Sequence, residues 1–167
     1  MMPATRQELF ALLDELAIKI TTIEHIPVFT VEDARKVHGD IKGGHCKNLF
    51  CKDEKGALWL IVALEDARID LKAAKDRIGS RRLSFGRPEL LMEILGVEPG
   101  SVTPFSLIND KGVKANVVLD AAMMKQELLN FHPLKNDAST TISSDDLIKF
   151  IKATGHQPQV VAVSDPV

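Results

Sequence analysis

The sequence predicts an α+β domain in which a curved, mixed β-sheet or barrel is wrapped by helices. Three observations point there. Helical and strand periods are interspersed along the chain without the strict alternation that a doubly wound sheet requires. Two apolar runs, residues 46–51 and Leu58–Leu64, flank the turn-rich stretch 52–56 and read as a hairpin. Helix punctuation is explicit: Asp70 and Pro88 stand where helices should open, and Gly79 and Gly96 where they should close.

Taken in order, Thr5 and Glu8 form a capping box, and Leu9, Leu12, Leu13, Leu16 and Ile20 recur at helical spacing. A first helix is expected to about residue 20. Residues 22–26 read as a strand stopped by Pro27, and Thr30 with Asp33 opens a short helix to Val37. A loop rich in turn residues, 39–44, leads into the hairpin. After the two punctuated helices, with 82–85 extended between them, comes a loop at 97–104. Residues 105–108 and 113–119 flank the turn Asn109-Asp110-Lys111-Gly112 and are expected to make a second hairpin. Strands at 128–131 and 140–143, a helix at 145–153 and a closing strand at 159–163 complete the reading. No repeat, low-complexity tract or linker interrupts it, so residues 1–167 are expected to form one domain.

The bulk numbers fit that view, with 45% hydrophobic and 26% charged residues. No window approaches the roughly 20 apolar residues of a bilayer span, and the N-terminus lacks the apolar run of a secretory signal, so a cytoplasmic location without membrane contact is expected. Cys46 and Cys51 are too far apart for a CxxC motif and read as buried thiols. Net charge is only −2, yet Lys72, Lys75, Arg77, Arg81, Arg82 and Arg87 crowd one stretch against the single acid Asp76. That is either a solvated face or a grip on a phosphate backbone.

No nucleophile elbow, Walker loop, dinucleotide fingerprint or metal-ligand pair is present, so neither a metal nor a cofactor is expected. Two local features resist a purely structural account. In Gly43-Gly44-His45-Cys46-Lys47-Asn48-Leu49-Phe50-Cys51, period-two alternation puts Lys47 with Leu49 and Cys51, and Asn48 with Cys46 and Phe50. An ammonium among apolar neighbours needs acceptors, an anion to anchor, or a path by which to snorkel to water. The second feature is the loop with Gly100, Ser101, Val102, Thr103 and Pro104, which is either an ordinary turn or a backbone cradle for an anion or carbonyl. His132, before Pro133, is a surface ring or a stacking platform for a base or sugar. His25, His38 and His156 show no spacing that suggests metal or a catalytic triad, and no role follows for them.

These residues carry a resemblance. In the segments Glu24-His25-Ile26-Pro27-Val28-Phe29-Thr30-Val31-Glu32, Gly43 to Phe50, Leu95 to Phe105 and Phe131-His132-Pro133-Leu134, the chain resembles the bacterial prolyl-tRNA synthetase editing-domain (YbaK-like) superfamily. It is most similar to the free-standing alanyl-tRNA(Pro) deacylase branch. The resemblance implies a mixed, partly closed sheet with helices outside and the site at one end. It makes Lys47 a key site residue and Gly100 to Pro104 the family's GxxxP loop. It places Asn48 and His132 at the substrate end, and Lys52 and Arg82 on the acceptor stem; Lys72 and Lys75, from the basic stretch, are expected to join them there. Cys46 stands where threonine is common in that branch.

The expected activity is therefore hydrolysis of alanine from mischarged tRNA(Pro), with prolyl-tRNA synthetase or elongation factor as candidate working partners. Alanine is smaller than proline, so a synthetase pocket cannot exclude it by bulk and a second, smaller site must correct the error. Val28 and Phe29 with the GxxxP loop are expected to enclose a methyl-sized side chain. An aminoacyl ester is already activated, so orientation and amide donors at the oxyanion suffice without a protein nucleophile. Water would attack with help from the substrate's ribose hydroxyl, while Lys47 holds the terminal phosphate. Deacylases of the same fold acting on cysteinyl-, seryl- or threonyl-tRNA, and a non-catalytic binder of tRNA ends, remain as alternatives.

Overall fold

A computed structural model of the chain describes residues 2–27 and 41–164. The capping box forms as its chemistry requires: the Thr5 hydroxyl accepts from the Glu8 amide, and the Glu8 carboxylate accepts from the Thr5 amide, both at 3.1 Å. Helix α1 (Arg6–Glu15) nevertheless stops short of residue 20. Ala17 takes a left-handed conformation (φ 59°), and the Ile18 amide turns back to the Leu13 carbonyl at 2.9 Å. This break lets Ile18, only 5% exposed, enter the core on a path the helix would have denied it. Strand β1 (Thr21–Glu24) follows. The helix expected at residues 30–37 lies outside the described residues.

Strands β2 (Gly44–Asp53) and β3 (Leu58–Leu64) form the expected hairpin, with β2 longer at both ends than its apolar run. Helix α2 (Leu71–Ile78) is capped by Asp70, whose carboxylate accepts from the Lys72 amide, and closed by left-handed Gly79. After β4 (Leu83–Phe85), helix α3 (Pro88–Leu95) opens on proline and closes on left-handed Gly96. Then come β5 (Ala115–Asp120), β6 (Leu128–Phe131), β7 (Ala138–Ser143), α4 (Ser144–Ala153) and β8 (Gln159–Val161).

The second hairpin does not exist. Residues Pro104–Asn109 form a buried 3-10 helix, capped by Thr103, whose hydroxyl accepts from the Phe105 amide. An apolar run of four residues carries no period of its own, and the proline at its head fits a helix start better than a strand. Strand β5 instead pairs in parallel with β3 and with β8.

The eight strands make one mixed, open sheet in the order β1-β7-β6-β2-β3-β5-β8, with β4 also paired to β2. β3 is buried on both faces, as a near-continuous apolar strand must be. Leu58, Leu60 and Val62 join the larger core, where α1, α3, α4 and the 3-10 helix supply Leu9, Leu13, Leu91, Leu95, Phe105 and Phe150. Trp59 and Ile61 face a smaller core under α2, with Cys51, Ala74 and Ile78. Helices thus cover both faces of the sheet, and none among the described residues is long and apolar enough to cross a membrane.

Candidate active site

β2 organises the site because its two edges are used differently. β3 runs beside it along one edge, from Cys46↔Leu64 to Lys52↔Leu58. The other edge is shared: β6 pairs in parallel at Gly44↔Leu129 and His45↔Asn130, and β4 pairs antiparallel at Cys51↔Phe85 to Asp53↔Leu83. The stretch between carries Lys47 and Asn48.

The turn before β2 is specified tightly. Gly43 has φ 97°, and a Cβ there would stand 2.8 Å from the Leu128 carbonyl oxygen, so only glycine fits. The Asn130 amide donates to the Lys42 and Gly44 carbonyls at 2.8 and 3.3 Å, while its oxygen accepts from the Thr141 hydroxyl at 2.5 Å. Asn130 therefore locks the start of β2 to β6 and β7.

Alternation along β2 follows the expected pattern. Cys46 and Phe50 pack with the larger core, and Leu49 and Cys51 with the smaller one. Lys47 and Asn48 consequently leave opposite faces. The Lys47 ammonium donates to the Ala67 carbonyl, which supplies one of the acceptors that its half-buried position demands. Both cysteines are free thiols; burial pushes Cys51 up to about 11 and raises Cys46 further. Cys46 is only partly buried as a residue, whereas Cys51 is fully so.

On the other face, Asn48 and His132 border one hollow. Cys46, His45, Glu65, Asn130, Phe131 and Ser139 complete its lining, and it measures about 40 Å³. Asn48 Oδ1 is buried there without a hydrogen-bond partner. The His132 ring donates from Nδ1 to the Ala138 carbonyl at 3.0 Å. Burial is the main cause holding His132 below the ordinary imidazole range; the Ala138 carbonyl opposes it and the neighbouring His25 adds to it. The ring is thus neutral near pH 7, with Nε2 as its acceptor. Arg6 braces the segment by pairing with Asp137 at 2.5 Å and donating to the Pro133 carbonyl at 3.2 Å.

A second cavity of about 350 Å³, lined in part by Gly44, Ala67, Asp120 and Gln126, shares His45 and Glu65 with the small hollow. It also takes in Ala67, the carbonyl partner of Lys47.

The loop holding Gly100 (φ 90°) is largely turned inward. The Ser101 amide donates to the Glu98 carbonyl at 3.0 Å, Thr103 is fully buried, Val102 packs on the larger core, and Pro104 starts the 3-10 helix. Neither Lys47 nor this loop lines the two cavities, so the geometry unites Asn48 with His132 but not these with the loop. Val28 and Phe29 lie outside the described residues. Lys52 is exposed on β2 and Arg82 just before β4: Lys52 pairs with Ser84, and the Glu54 amide donates to the Arg82 carbonyl at 3.0 Å. Lys72 is exposed on the first turn of α2 and Lys75 is half-buried on its last.

Sequence reasoning missed His25 and Ser139. Ser139 borders the small hollow and bonds to the His25 ring at 2.8 Å. Their separation of 114 positions leaves no local signal; only the pairing of β1 with β7 could have found them.

A mixed sheet sheathed by helices carries a small hollow lined from β2, β6 and β7 and the residues beside them, with no group of metal-ligating side chains among the described residues. Residues 25–150 match the aminoacyl-tRNA editing domain family, and the chain belongs to that family. It is 40% identical to the prolyl-tRNA editing protein ProX of Acetoanaerobium sticklandii over 90% of this chain and 93% of that protein. It is 38% identical to prolyl-tRNA synthetase associated domain-containing protein 1 of Mus musculus over 93% and 95% of the two chains. A crystal structure described as that of a candidate trans-editing enzyme for prolyl tRNA synthetase superposes with TM-score 0.71 at 20% identity, covering 99% of this chain and all of that one.

Proposed function

We propose that this protein is a trans-editing deacylase of the prolyl-tRNA synthetase system, and that it hydrolyses alanine from mischarged tRNA(Pro). Support comes from family membership joined to one observation: Asn48 on β2 and His132 just after β6 border the same small hollow, and Asn48 Oδ1 has no hydrogen-bond partner. In this reading both contact the aminoacyl end. Lys47 has three ammonium protons, and engaging the Ala67 carbonyl leaves donors for the terminal nucleotide's phosphate. Because the Ser101 amide is engaged with Glu98 and Thr103 is fully buried, the role of carbonyl cradle falls within 100–104 on the amides of Gly100 and Val102. Val28 and Phe29 close the pocket against the larger proline ring. Lys52, Lys72, Lys75 and Arg82 hold the acceptor stem. Prolyl-tRNA synthetase and elongation factor are the candidate working partners.

The test is a deacylation panel on tRNAs charged with alanine, proline, cysteine, serine and threonine. Alanine on tRNA(Pro) should be released fastest and proline spared, and Lys47→Ala should lose most of the activity. Faster loss of serine or threonine would overturn the substrate assignment. Tight binding with every ester intact under single-turnover conditions would overturn hydrolysis itself.

A further inference from the structure

We propose that the alanyl ester docks on β2 as a single added strand residue, paired with the backbone of Asn48; this rests on the deacylase reading above. The edge of β2 turned away from β3 supplies the place. The register of β2 with β3 runs without a bulge from Cys46↔Leu64 to Lys52↔Leu58, so backbone groups alternate strictly between the two edges of β2. The Glu65 amide donates to the His45 carbonyl and the Asp53 amide to the Ala57 carbonyl, both at 2.9 Å, which turns the odd-numbered residues of β2 toward β3. The Gly86 amide donates to the Phe50 carbonyl at 2.9 Å and the Glu54 amide to the Arg82 carbonyl at 3.0 Å, which turns the even-numbered ones the other way. On that second edge the β6 pairing ends at His45↔Asn130 and the β4 pairing begins at Cys51↔Phe85. The N–H and C=O of Asn48 therefore face the interval between two departing strands, where no strand among the described residues pairs with them.

An aminoacyl ester complements that interval. Its ammonium, α-carbon and ester carbonyl repeat the donor and acceptor spacing of one residue. The carbonyl oxygen accepts the Asn48 N–H and the ammonium donates to the Asn48 C=O, which are the two bonds of a hydrogen-bonded antiparallel pair. Residues paired in this way send their side chains to the same face of the sheet. Asn48 leaves β2 on the face of Cys46 and Phe50, and with Cys46, Phe131 and His132 it borders the hollow of about 40 Å³. The methyl of an L-alanyl group is thereby aimed at that hollow. A space of this size takes one group comparable to a water, whose share of liquid volume is about 30 Å³, and excludes the three methylenes of a proline ring. An antiparallel mate also runs opposite to β2, so the ribose leaves toward the start of the strand, where the cavity of about 350 Å³ shares His45 and Glu65 with the hollow.

The pairing orients the ester and supplies no base. The Asn48 N–H meets the carbonyl oxygen as negative charge develops on it, the second lone pair stays open to another amide donor, and water is activated by the substrate's own ribose hydroxyl. Chirality becomes part of the selection, because only one hand of the α-carbon points its side chain into the hollow.

The experiment uses the whole chain without substitution. Single-turnover rates are measured on tRNA(Pro) carrying L-alanine, D-alanine or propionate, each divided by the rate at which the same ester hydrolyses alone. D-Alanine sends its methyl to the opposite face and should be cleaved about 10²-fold more slowly. Propionate lacks the ammonium and should lose about tenfold or more. In ¹⁵N-labelled protein the Asn48 amide should exchange with solvent quickly and the Leu49 amide, which faces β3, slowly. Saturation with an acceptor-stem RNA hairpin ending in a non-cleavable 3′-alanylamino group should slow exchange at Asn48 about tenfold or more and leave Leu49 unchanged. An Asn48 amide as slow as Leu49 before the hairpin is added, or unmoved at saturation, would overturn the pairing. So would D-alanine or propionate released as fast as L-alanine. Failure of the protein to cleave the L-alanyl ester at all would bring down the deacylase reading itself, whereas the exchange result bears on the pairing alone.

Discussion

The His156 imidazole and the Asp110 carboxylate meet at 2.8 Å with side chains only 1% and 2% exposed. The Thr154 hydroxyl donates to the Ile151 carbonyl at 2.6 Å and so accepts from His156 Nδ1 at 2.8 Å, fixing the ring. Asp110 also receives the Lys114 and Ala115 amides at 3.0 and 2.8 Å. The latch ties the end of α4 to the start of β5, away from the small hollow. Removing the imidazole leaves the Asp110 carboxylate buried with only its two backbone amides, so His156→Ala should cost about 1–3 kcal/mol in urea unfolding while the folded enzyme keeps its rate constant. A loss below about 1 kcal/mol would show that the latch is not structural.

Gly86 is required by a close approach rather than by its backbone angles. Its amide donates to the Phe50 carbonyl at 2.9 Å, and a Cβ there would stand 2.4 Å from the Phe50 ring, which is 5% exposed in the larger core. Gly86→Ala should therefore destabilise by about 1–3 kcal/mol through forced repacking, and Phe50→Leu in the same chain should recover part of it. Simple additivity of the two substitutions would mean that they do not clash.

These two contacts show where sequence legibility ends. The Thr5–Glu8 box, the Asp70 cap and the closing glycines at 79 and 96 were readable because each is settled by residues within one helical turn. The opposite facing of Lys47 and Asn48 was readable because a strand has a period of two. The hairpin expected at 105–119 failed because Phe105 to Ile108 is apolar without a period, and the Thr103 hydroxyl with Pro104 tips it to a 3-10 turn. His156, given no role from sequence, pairs with a residue 46 positions away, and His25 with one 114 away. Neither pairing can be read before the sheet order is known.

Asp53 ends β2 and holds the turn that follows. Its carboxylate accepts from the Lys55 and Ala57 amides at 3.0 Å and from the Trp59 indole and Arg81 amide at 3.3 Å. Desolvation pushes its pKa up, but these four donors outweigh it and hold the group below its ordinary value. For a carboxyl depressed on folding, the stability is present above the unfolded value, about 3.9, and is lost as pH falls through the folded one. Asp53→Asn should accordingly lower Tm at pH 7, with the gap to wild type closing below about pH 4. A gap of constant size from pH 7 to pH 3 would mean that the ionised form is not what these donors stabilise.

Lys52 and Arg82 are brought together by the β2–β4 pairing, in which Lys52 stands opposite Ser84 and the Glu54 amide donates to the Arg82 carbonyl. Both are exposed, and Lys52, though not Arg82, lines a surface groove of about 720 Å³ that it shares with Arg87 and with the carboxylates of Glu54, Glu89 and Glu93. If the acceptor stem lies along this face, each cation neutralises one phosphate and releases the ion that had screened it. Replacing either with alanine should then reduce the slope of log affinity against log salt by about 0.9. KM for the aminoacyl-tRNA should rise several-fold with kcat nearly unchanged, because a phosphate contact made equally in ground and transition states positions substrate without speeding its cleavage. Measuring both variants across 50–200 mM salt separates this from a general electrostatic effect, since an exposed lysine off the binding face would leave the slope at its wild-type value. An unchanged slope accompanied by a fall in kcat would take Lys52 and Arg82 off the tRNA surface.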